Sequence, residues 1–407
     1  MSGGSSRSLP DSLAAAGGIL TVDLDALAAN YALMGELAKD AQIAAVVKAD
    51  GYGLGLEAVV QTLVKAGCTR FFVADVHEGR RARRFAPQAD IYVLDGLLPG
   101  TAPLFVDARL RPCLSSLEEV RDWGDATNGT APAALHLDTG ISRRGLTAAD
   151  VQTLAETPDL LNKASLCLVM SHLACADEPA HPMNEKQRGL FEAWRALLPP
   201  LPASLANTAG SFLGEAFTLD MVRAGIGLYG CSPFADRDAP FQPVVTLEGR
   251  ILQVRALAAG ETVGYGATYQ APEQRQVATI AVGYGDGYFR RLGSGPAQGG
   301  APGGVPGGMP GGMPGGMVVV SGVRCPIIGR VSMDMMTVDV TKVTPLPRPG
   351  GLAQLIGADI PLEEVAQAAG TLGYEVLTNL GKRYQRLYTS GGRIKVEPDE
   401  QSDPPSP

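Results

Sequence analysis

A long alternation of two periodicities constrains this chain more than any other feature. From residue 19 to about residue 231, short apolar runs alternate with segments whose apolar residues recur every three or four positions. The runs are residues 19–22, 43–48, 71–74, 91–94, 111–114, 133–137, 166–170, 205–207 and 222–224, and stretches such as 24–37 and 59–66 have helical spacing. Strand, helix, strand, repeated in this way, requires a parallel sheet. The count suits an eight-stranded (β/α)8 barrel of the TIM type with one spare run. A doubly wound sheet is the alternative, weakened because no G-x-G-x-x-G opens a helix in a dinucleotide-binding setting.

After Cys231 the texture changes. Residues 244–254, 277–282, 318–320, 327–330 and 337–340 are β-rich and separated by Gly or Pro turns, and only 362–369 reads as helical. The expected organisation is therefore α/β: an N-terminal barrel over residues 17–240 and a C-terminal, mainly β domain over 241–392. Residues 293–316 read GSGPAQGGAPGGVPGGMPGGMPGG, with a period near four rather than the collagen triplet. Such a stretch cannot bury enough apolar surface to order itself, so it is expected to be a flexible insert. Residues 1–16 are expected to be a disordered leader. Their only basic residue is Arg7, and Pro10 and Asp11 break the apolar run that a signal peptide needs. Residues 393–407, acidic and Pro-rich from 397 on, are expected to be a disordered tail.

Composition narrows the partners. The net charge is −8 with no long basic run, which argues against nucleic acid. Six cysteines are scattered without a C-x-x-C pair, which argues against a zinc site and for reduced thiols in a cytoplasm. No metal is expected. No apolar span is long enough to cross a bilayer, so no membrane is expected either.

The residues that carry chemistry sit where apolar runs end. AVVKADGYGLG (45–55) is a strand, then Lys48, then a Gly-rich turn, then a helix. Apolar walls disfavour the ammonium and lower a lysine's pKa, and such a lysine can form a Schiff base with a carbonyl cofactor. Tyr52, beside it, has a hydroxyl within reach of a phosphate. The plainer reading is a lysine whose stem packs at a strand end. In VRAGIGLYG (222–230), Gly225 and Ile226 can offer backbone N–H groups to a phosphate. Asn207 and Thr208, in ANTAG, end the preceding run. HLDTGISRRG (136–145) offers Arg143 for a carboxylate, with Arg144 the competing choice. His172, in MSHLACADE, ends another run, whereas His77 and His181 have no such setting. In the second domain Tyr265 (VGYGATYQ) and Tyr284 (AVGYGDGYFRR) are flanked by glycines and read as functional. Tyr269 and Tyr288 read as packing residues.

Taken together and in this order, AVVKADGYGLG, DTGISRRG, MSHLACADE, ANTAG, VRAGIGLYG, VGYGATY, VGYGDGY and GRVSMD resemble the motifs of bacterial alanine racemases, the fold-type III pyridoxal-phosphate enzymes. The resemblance spans residues 45–334 and implies a homodimer with shared active sites that acts on alanine. By resemblance Lys48 carries pyridoxal 5′-phosphate and is one catalytic base. Tyr265 is then the opposite base, supplied by the other subunit and contacted by His172. Arg223 would face the ring nitrogen; a guanidinium only donates hydrogen bonds, so that nitrogen would stay unprotonated. Tyr52, Asn207, Thr208, Gly225 and Ile226 would hold the cofactor, with Tyr384 a further phosphate contact. Arg143 and the backbone of Met333 would hold the substrate carboxylate, with Tyr284 at the entrance.

The pattern has departures. His136 stands where many family members have a carbamylated lysine, so His136 or an ion would have to orient Arg143. Thr208 replaces a serine, and the Gly/Pro/Met insert is foreign to the family. The implied activity is interconversion of L- and D-alanine, supplying D-alanine for peptidoglycan. The alternatives are a broader amino-acid racemase and a non-catalytic pyridoxal-phosphate protein. A decarboxylase of this fold type fits less well, because a permanently charged Arg223 makes the ring a weak electron sink.

Overall fold

The computed structural model describes residues 11–234, 237–293 and 315–396. Residues 1–10, 294–314 and 397–407, where most of the expected disorder falls, lie outside the described residues. The chain divides into two compact units, Leu24–Gln242 and a second made of Met1–Asp23 together with Pro243–Pro407. The first strand, β1 (Gly18–Asp23), belongs to the second unit.

The unit Leu24–Gln242 is the parallel barrel. Its strands are β2 (Gln42–Val46), β3 (Arg70–Val73), β4 (Asp90–Val93), β5 (Leu110–Leu114), β6 (Ala133–His136), β7 (Leu166–Met170), β8 (Ala203–Ser204) and β9 (Met221–Ala224). They pair in parallel in the order β8-β7-β6-β5-β4-β3-β2-β9. A parallel bridge between Asn207 and Arg223 closes the ring, with the Arg223 N–H donating to the Ala206 carbonyl at 3.0 Å. The strands are nearly continuous apolar runs because barrel interior and helix layer cover both faces; Phe71, Phe72, Ile91 and Leu135 are fully buried. The helix Leu56–Lys65 buries Leu56, Val59, Val60 and Leu63, one stripe at three- and four-residue spacing. Helix starts are capped by side chains. Asp75 accepts from the His77 and Glu78 N–H groups, and Thr147 and Asp150 form a capping box.

The second unit is a nine-stranded sheet. Its remaining strands are β10 (Val245–Leu257), β13 (Arg275–Ile280), β14 (Met317–Val320), β15 (Val323–Ile328), β16 (Met336–Asp339), β17 (Leu352–Ile356), β18 (Gln385–Ser390) and β19 (Arg393–Val396). A separate pair, β11 (Thr262–Val263) and β12 (Tyr269–Gln270), flanks it in sequence. The long β10 pairs with β17 and β1 through its first half and with β13 through its second, so the path β13-β16-β15-β14-β17-β10 closes on itself. A register shift between Ile251 and Gln253 lets one strand serve both.

Three expectations need correction here. Residues 19–22 are not a barrel strand: β1 lies between β10 (antiparallel) and β18 (parallel). Its apolar run would suit either place, and only pairing with distant residues decides. The expected leader is ordered in its last part. Asp11–Ala15 is helical, and Arg250 donates to the carbonyls of Leu13 and Ala16, each at 2.7 Å. The expected tail begins too early, since β19 pairs with β18. A helix over Gly373–Asn379 also follows the expected one at Leu362–Ala369.

Leu20 is fully buried in β1. Leu20→Ala is expected to cost about 2–5 kcal/mol in urea unfolding. A loss below about 1 kcal/mol would contradict a central place for β1 in this sheet.

Candidate active site

Lys48 follows β2 at the C-terminal end of the barrel strands, where Val47 N–H still donates to the Phe72 carbonyl at 2.8 Å. The chain then turns in an uncommon way. Ala49, Asp50, Gly51 and Tyr52 all have positive φ (53°, 56°, 66° and 55°), one turn of left-handed backbone. Each non-glycine residue there costs about 1–2 kcal/mol. Lys48 is half-buried, and its pKa is lowered first by burial and then by the Arg143 cation, against smaller opposing effects of Asp95 and Glu78.

The same barrel mouth holds a buried cation. Arg223, on β9, is 3% exposed and faces no carboxylate among the described residues. Nη1 donates to the Ser204 carbonyl at 2.9 Å and the Ser204 hydroxyl at 2.7 Å. Nη2 donates to the Ser171 carbonyl at 2.7 Å and to His172 Nδ1 at 3.2 Å. Burial pushes its pKa down to about 10, so it stays a cation at neutral pH. Because a guanidinium only donates, His172 Nδ1 must accept, which leaves the proton of a neutral imidazole on Nε2. Neutrality is assured: burial, then Arg223 and Arg143, hold the His172 pKa well below the ordinary histidine range. His136, at the end of β6, is 6% exposed with Nε2 lacking any hydrogen-bond partner. Burial, then Arg223 and Arg143, lower its pKa to about 4.

Glu119 distinguishes the surroundings of the two neighbouring arginines. Its carboxylate binds Arg144 at 2.7 Å and accepts from the N–H groups of Ser115 (3.0 Å) and Leu97 (3.3 Å). Arg144 is thus a structural tie. Arg143 is exposed and makes no hydrogen bond or ion pair among the described residues.

Beside Lys48 lies a backbone cradle. Gly225 precedes a 3₁₀ turn, Ile226–Tyr229, whose first N–H groups have no acceptor within the turn. A Cβ on Gly225 would sit 2.8 Å from the Tyr52 hydroxyl oxygen, so only glycine fits. Tyr52 stacks on Tyr229 (4.4 Å between centroids), whose hydroxyl donates to the Val46 carbonyl at 3.0 Å. The Gly225 N–H, expected to serve a phosphate, donates instead to Thr208 Oγ1 at 2.9 Å. Asn207 Oδ1 accepts from the Gly210 N–H at 2.8 Å and so shapes the turn.

The other expected residues lie in the second unit. Tyr265 is 69% exposed and is flanked by Gly264 and Gly266, both with positive φ. Tyr284 and Met333 are also exposed, on segments joined where Gly285 N–H donates to the Met333 carbonyl at 2.8 Å. A Cβ on Gly283 would sit 2.3 Å from that carbonyl oxygen. Tyr384 is 4% exposed, its ring covers Gly18, and its hydroxyl has no hydrogen-bond partner.

Sequence reasoning missed the supporting cast. Ser204 and Ser171 hold Arg223. Gln187, fully buried, donates to the His172 carbonyl at 2.8 Å and accepts from the Ala174 N–H at 2.8 Å, fixing that loop. Nothing in their local sequence marks them, because their partners are distant in the chain. Among the described residues no group of His, Cys, Asp and Glu is arranged to hold a metal ion.

Comparison with known proteins accords with this arrangement. Residues 22–233 match the family described as alanine racemase, N-terminal domain, and residues 244–388 match alanine racemase, C-terminal domain. The alanine racemase of Methylobacterium nodulans is 44% identical over 384 residues, 93% of this chain and 98% of the relative. A catabolic alanine racemase of Mesorhizobium japonicum is 41% identical over 387 residues, covering 94% of this chain and 96% of the relative. Among solved structures, alanine racemase from Bartonella henselae with covalently bound pyridoxal phosphate superposes with a TM-score of 0.84 at 35% identity, covering 92% of this chain and 100% of that one. With both domains matched in order and relatives aligned along nearly its whole length, the chain belongs to the alanine racemase family.

Proposed function

We propose that this protein is a pyridoxal-phosphate-dependent alanine racemase that interconverts L- and D-alanine. The observation that carries the reading is the barrel mouth itself. A lysine with a lowered pKa stands beside a glycine cradle and a buried arginine that no carboxylate neutralises. These residues fit the cofactor. Lys48 is the amine that would hold its aldehyde carbon. The Ile226 N–H and the hydroxyls of Tyr52 and Thr208 would hold its phosphate, and Gly225 contributes by having no side chain. Arg223, whose Nε makes no hydrogen bond among the described residues, would donate to the ring nitrogen.

Bound pyridoxal phosphate supplies an electron-withdrawing ring that stabilises negative charge at the substrate Cα. The chain does the rest. Arg143 would receive the substrate carboxylate through paired hydrogen bonds, and the resemblance assigns the Met333 backbone and Tyr284 to the same substrate. Lys48 Nζ takes or returns the Cα proton on one face. Inversion needs a second base on the opposite face, and we assign it to the partner subunit's Tyr265. A tyrosine of ordinary pKa near 10 needs help near neutrality. His172, with its proton on Nε2, would give that help by donating to the phenolate while Arg223 holds Nδ1. The protein would therefore work as a homodimer. We place it in the cytoplasm, where six free cysteines stay reduced, with D-alanine supplied to peptidoglycan. No helix of the described residues is long and apolar enough to cross a membrane.

Lys48→Ala is expected to abolish racemisation of both enantiomers. Borohydride treatment of the unaltered protein is expected to fix the cofactor on the Lys48 peptide, and an adduct on any other lysine would refute the assignment. Mixing inactive Lys48→Ala chains with inactive Tyr265→Phe chains is expected to restore activity, because one of the two sites in a mixed dimer keeps both bases. Verified subunit exchange without regained activity would exclude a shared site.

The sign of a pH effect also follows. The Arg143 cation disfavours the Lys48 ammonium, so removing it must raise the lysine's pKa. Arg143→Gln is expected to shift the midpoint of Lys48 acetylation to higher pH, alongside a raised KM for alanine. A midpoint that stays or falls would separate Arg143 from Lys48.

A further inference from the structure

The turn that carries Lys48 is gripped from outside the cofactor cradle. Residues 49–52 are left-handed in succession, and of these only Gly51 adopts that conformation without a steric penalty. Such a run persists only where its surroundings enforce it. Two side chains one turn apart on the helix Val76–Phe85 do so. Glu78 Oε1 accepts from the Asp50 N–H at 3.2 Å, and Oε2 accepts from the Ala74 N–H at 2.9 Å, just past the end of β3. Arg81 Nη2 donates to Asp50 Oδ1 at 2.7 Å, and the same oxygen accepts from the Leu56 N–H at 3.2 Å. The Arg81–Asp50 pair is largely exposed and therefore weak. Glu78 is half-buried with both oxygens on backbone amides, the stronger kind of grip.

We propose that Glu78 is a positioning residue for Lys48: its carboxylate clamps the left-handed turn to the end of β3 and so presents the lysine in one orientation. The proposal rests on the racemase reading only for what Lys48 then does. Glu78 also contributes charge. Arg143, Asp95 and Glu78 are the ionisable neighbours that act on Lys48, and of these Glu78 and Asp95 favour its ammonium. Replacing the carboxylate by an amide of the same shape must therefore lower the lysine's pKa further.

The test uses full-length protein stripped of cofactor, titrated with pyridoxal phosphate, with the borohydride-fixed adduct at Lys48 quantified by peptide mapping. Glu78→Ala is expected to weaken capture about tenfold or more, because the two charge-assisted bonds that join the turn to the end of β3 are lost. Val60→Ala, a buried change on the helix Leu56–Lys65, serves as a control for general loss of stability, and its capture is expected to fall less than about threefold. Adding Ala49→Gly to Glu78→Ala is expected to recover most of the loss, since glycine adopts the left-handed turn unaided. Capture by Glu78→Ala equal to the unaltered protein, or an equal loss in Val60→Ala, would overturn the proposal. If the unaltered protein captures no pyridoxal phosphate at Lys48, the racemase reading fails instead. The clamp is then judged by acetic anhydride labelling, which needs no cofactor. The Lys48 midpoint is expected at lower pH in Glu78→Gln, and an unchanged or higher midpoint would overturn the proposal.

Discussion

A buried guanidinium without a carboxylate sets the terms for the rest of the barrel mouth. Burying a charge is expensive unless every donor is used. Arg223 meets most of that demand through its two Nη groups, with the carbonyls of Ser204, Ser171 and Leu205, the Ser204 hydroxyl and the His172 ring, while Nε makes no hydrogen bond among the described residues. These acceptors come from the ends of β7 and β8, so one side chain ties together the strands around the point where the barrel closes. The closing bridge at Asn207 and Arg223 uses the backbone of the same residue. The cation also fixes the tautomer of His172 and keeps His136 neutral. The cost appears in acid. As pH falls from about 6.5 toward 4, the unfolded chain takes up protons at histidines that the fold keeps neutral, so stability declines across that window.

The cradle beside Lys48 depends on a different constraint, the close approach of backbones. Gly225 leaves room for the Tyr52 hydroxyl, and the left-handed turn brings Tyr52 to it. Stacking of Tyr52 on Tyr229 then couples the turn after β2 to the turn after β9, the two strands that pair across the barrel's last seam. Geometry that chemistry requires at one atom is thus distributed over two turns, neither of which would hold it alone.

Much of this was legible in the sequence, and the failures have a common cause. The barrel strands show as apolar runs because both faces are covered, and Lys48, Arg143, His172 and Arg223 stand out at run ends. Local pattern did not reveal pairings over long distances. The run at 19–22 reads like a barrel strand, yet its partners are β10 and β18. The pairing of Arg144 with Glu119, on a separate helix, was not visible either. Residues 49–52 carry one glycine, so nothing in their composition announces a left-handed turn; the enforcing residue, Glu78, lies on the helix after the next strand.

The position of β1 has a consequence for how the chain is made. The barrel sequence is a guest within the β unit, which begins with β1 and resumes at Pro243, and the Asp23 N–H donates to the Val244 carbonyl at 2.8 Å. On the ribosome, β1 emerges ahead of the barrel and cannot pair until β10 follows. At roughly 5–20 residues per second the wait is about 10–45 s, long enough for the guest to fold meanwhile. An apolar strand with both edges unsatisfied is then left waiting, the kind of segment that invites chaperone binding or mispairing between neighbouring nascent chains. The price of sealing the β unit with the chain's earliest strand is a vulnerable interval during synthesis, whatever the stability of the finished molecule.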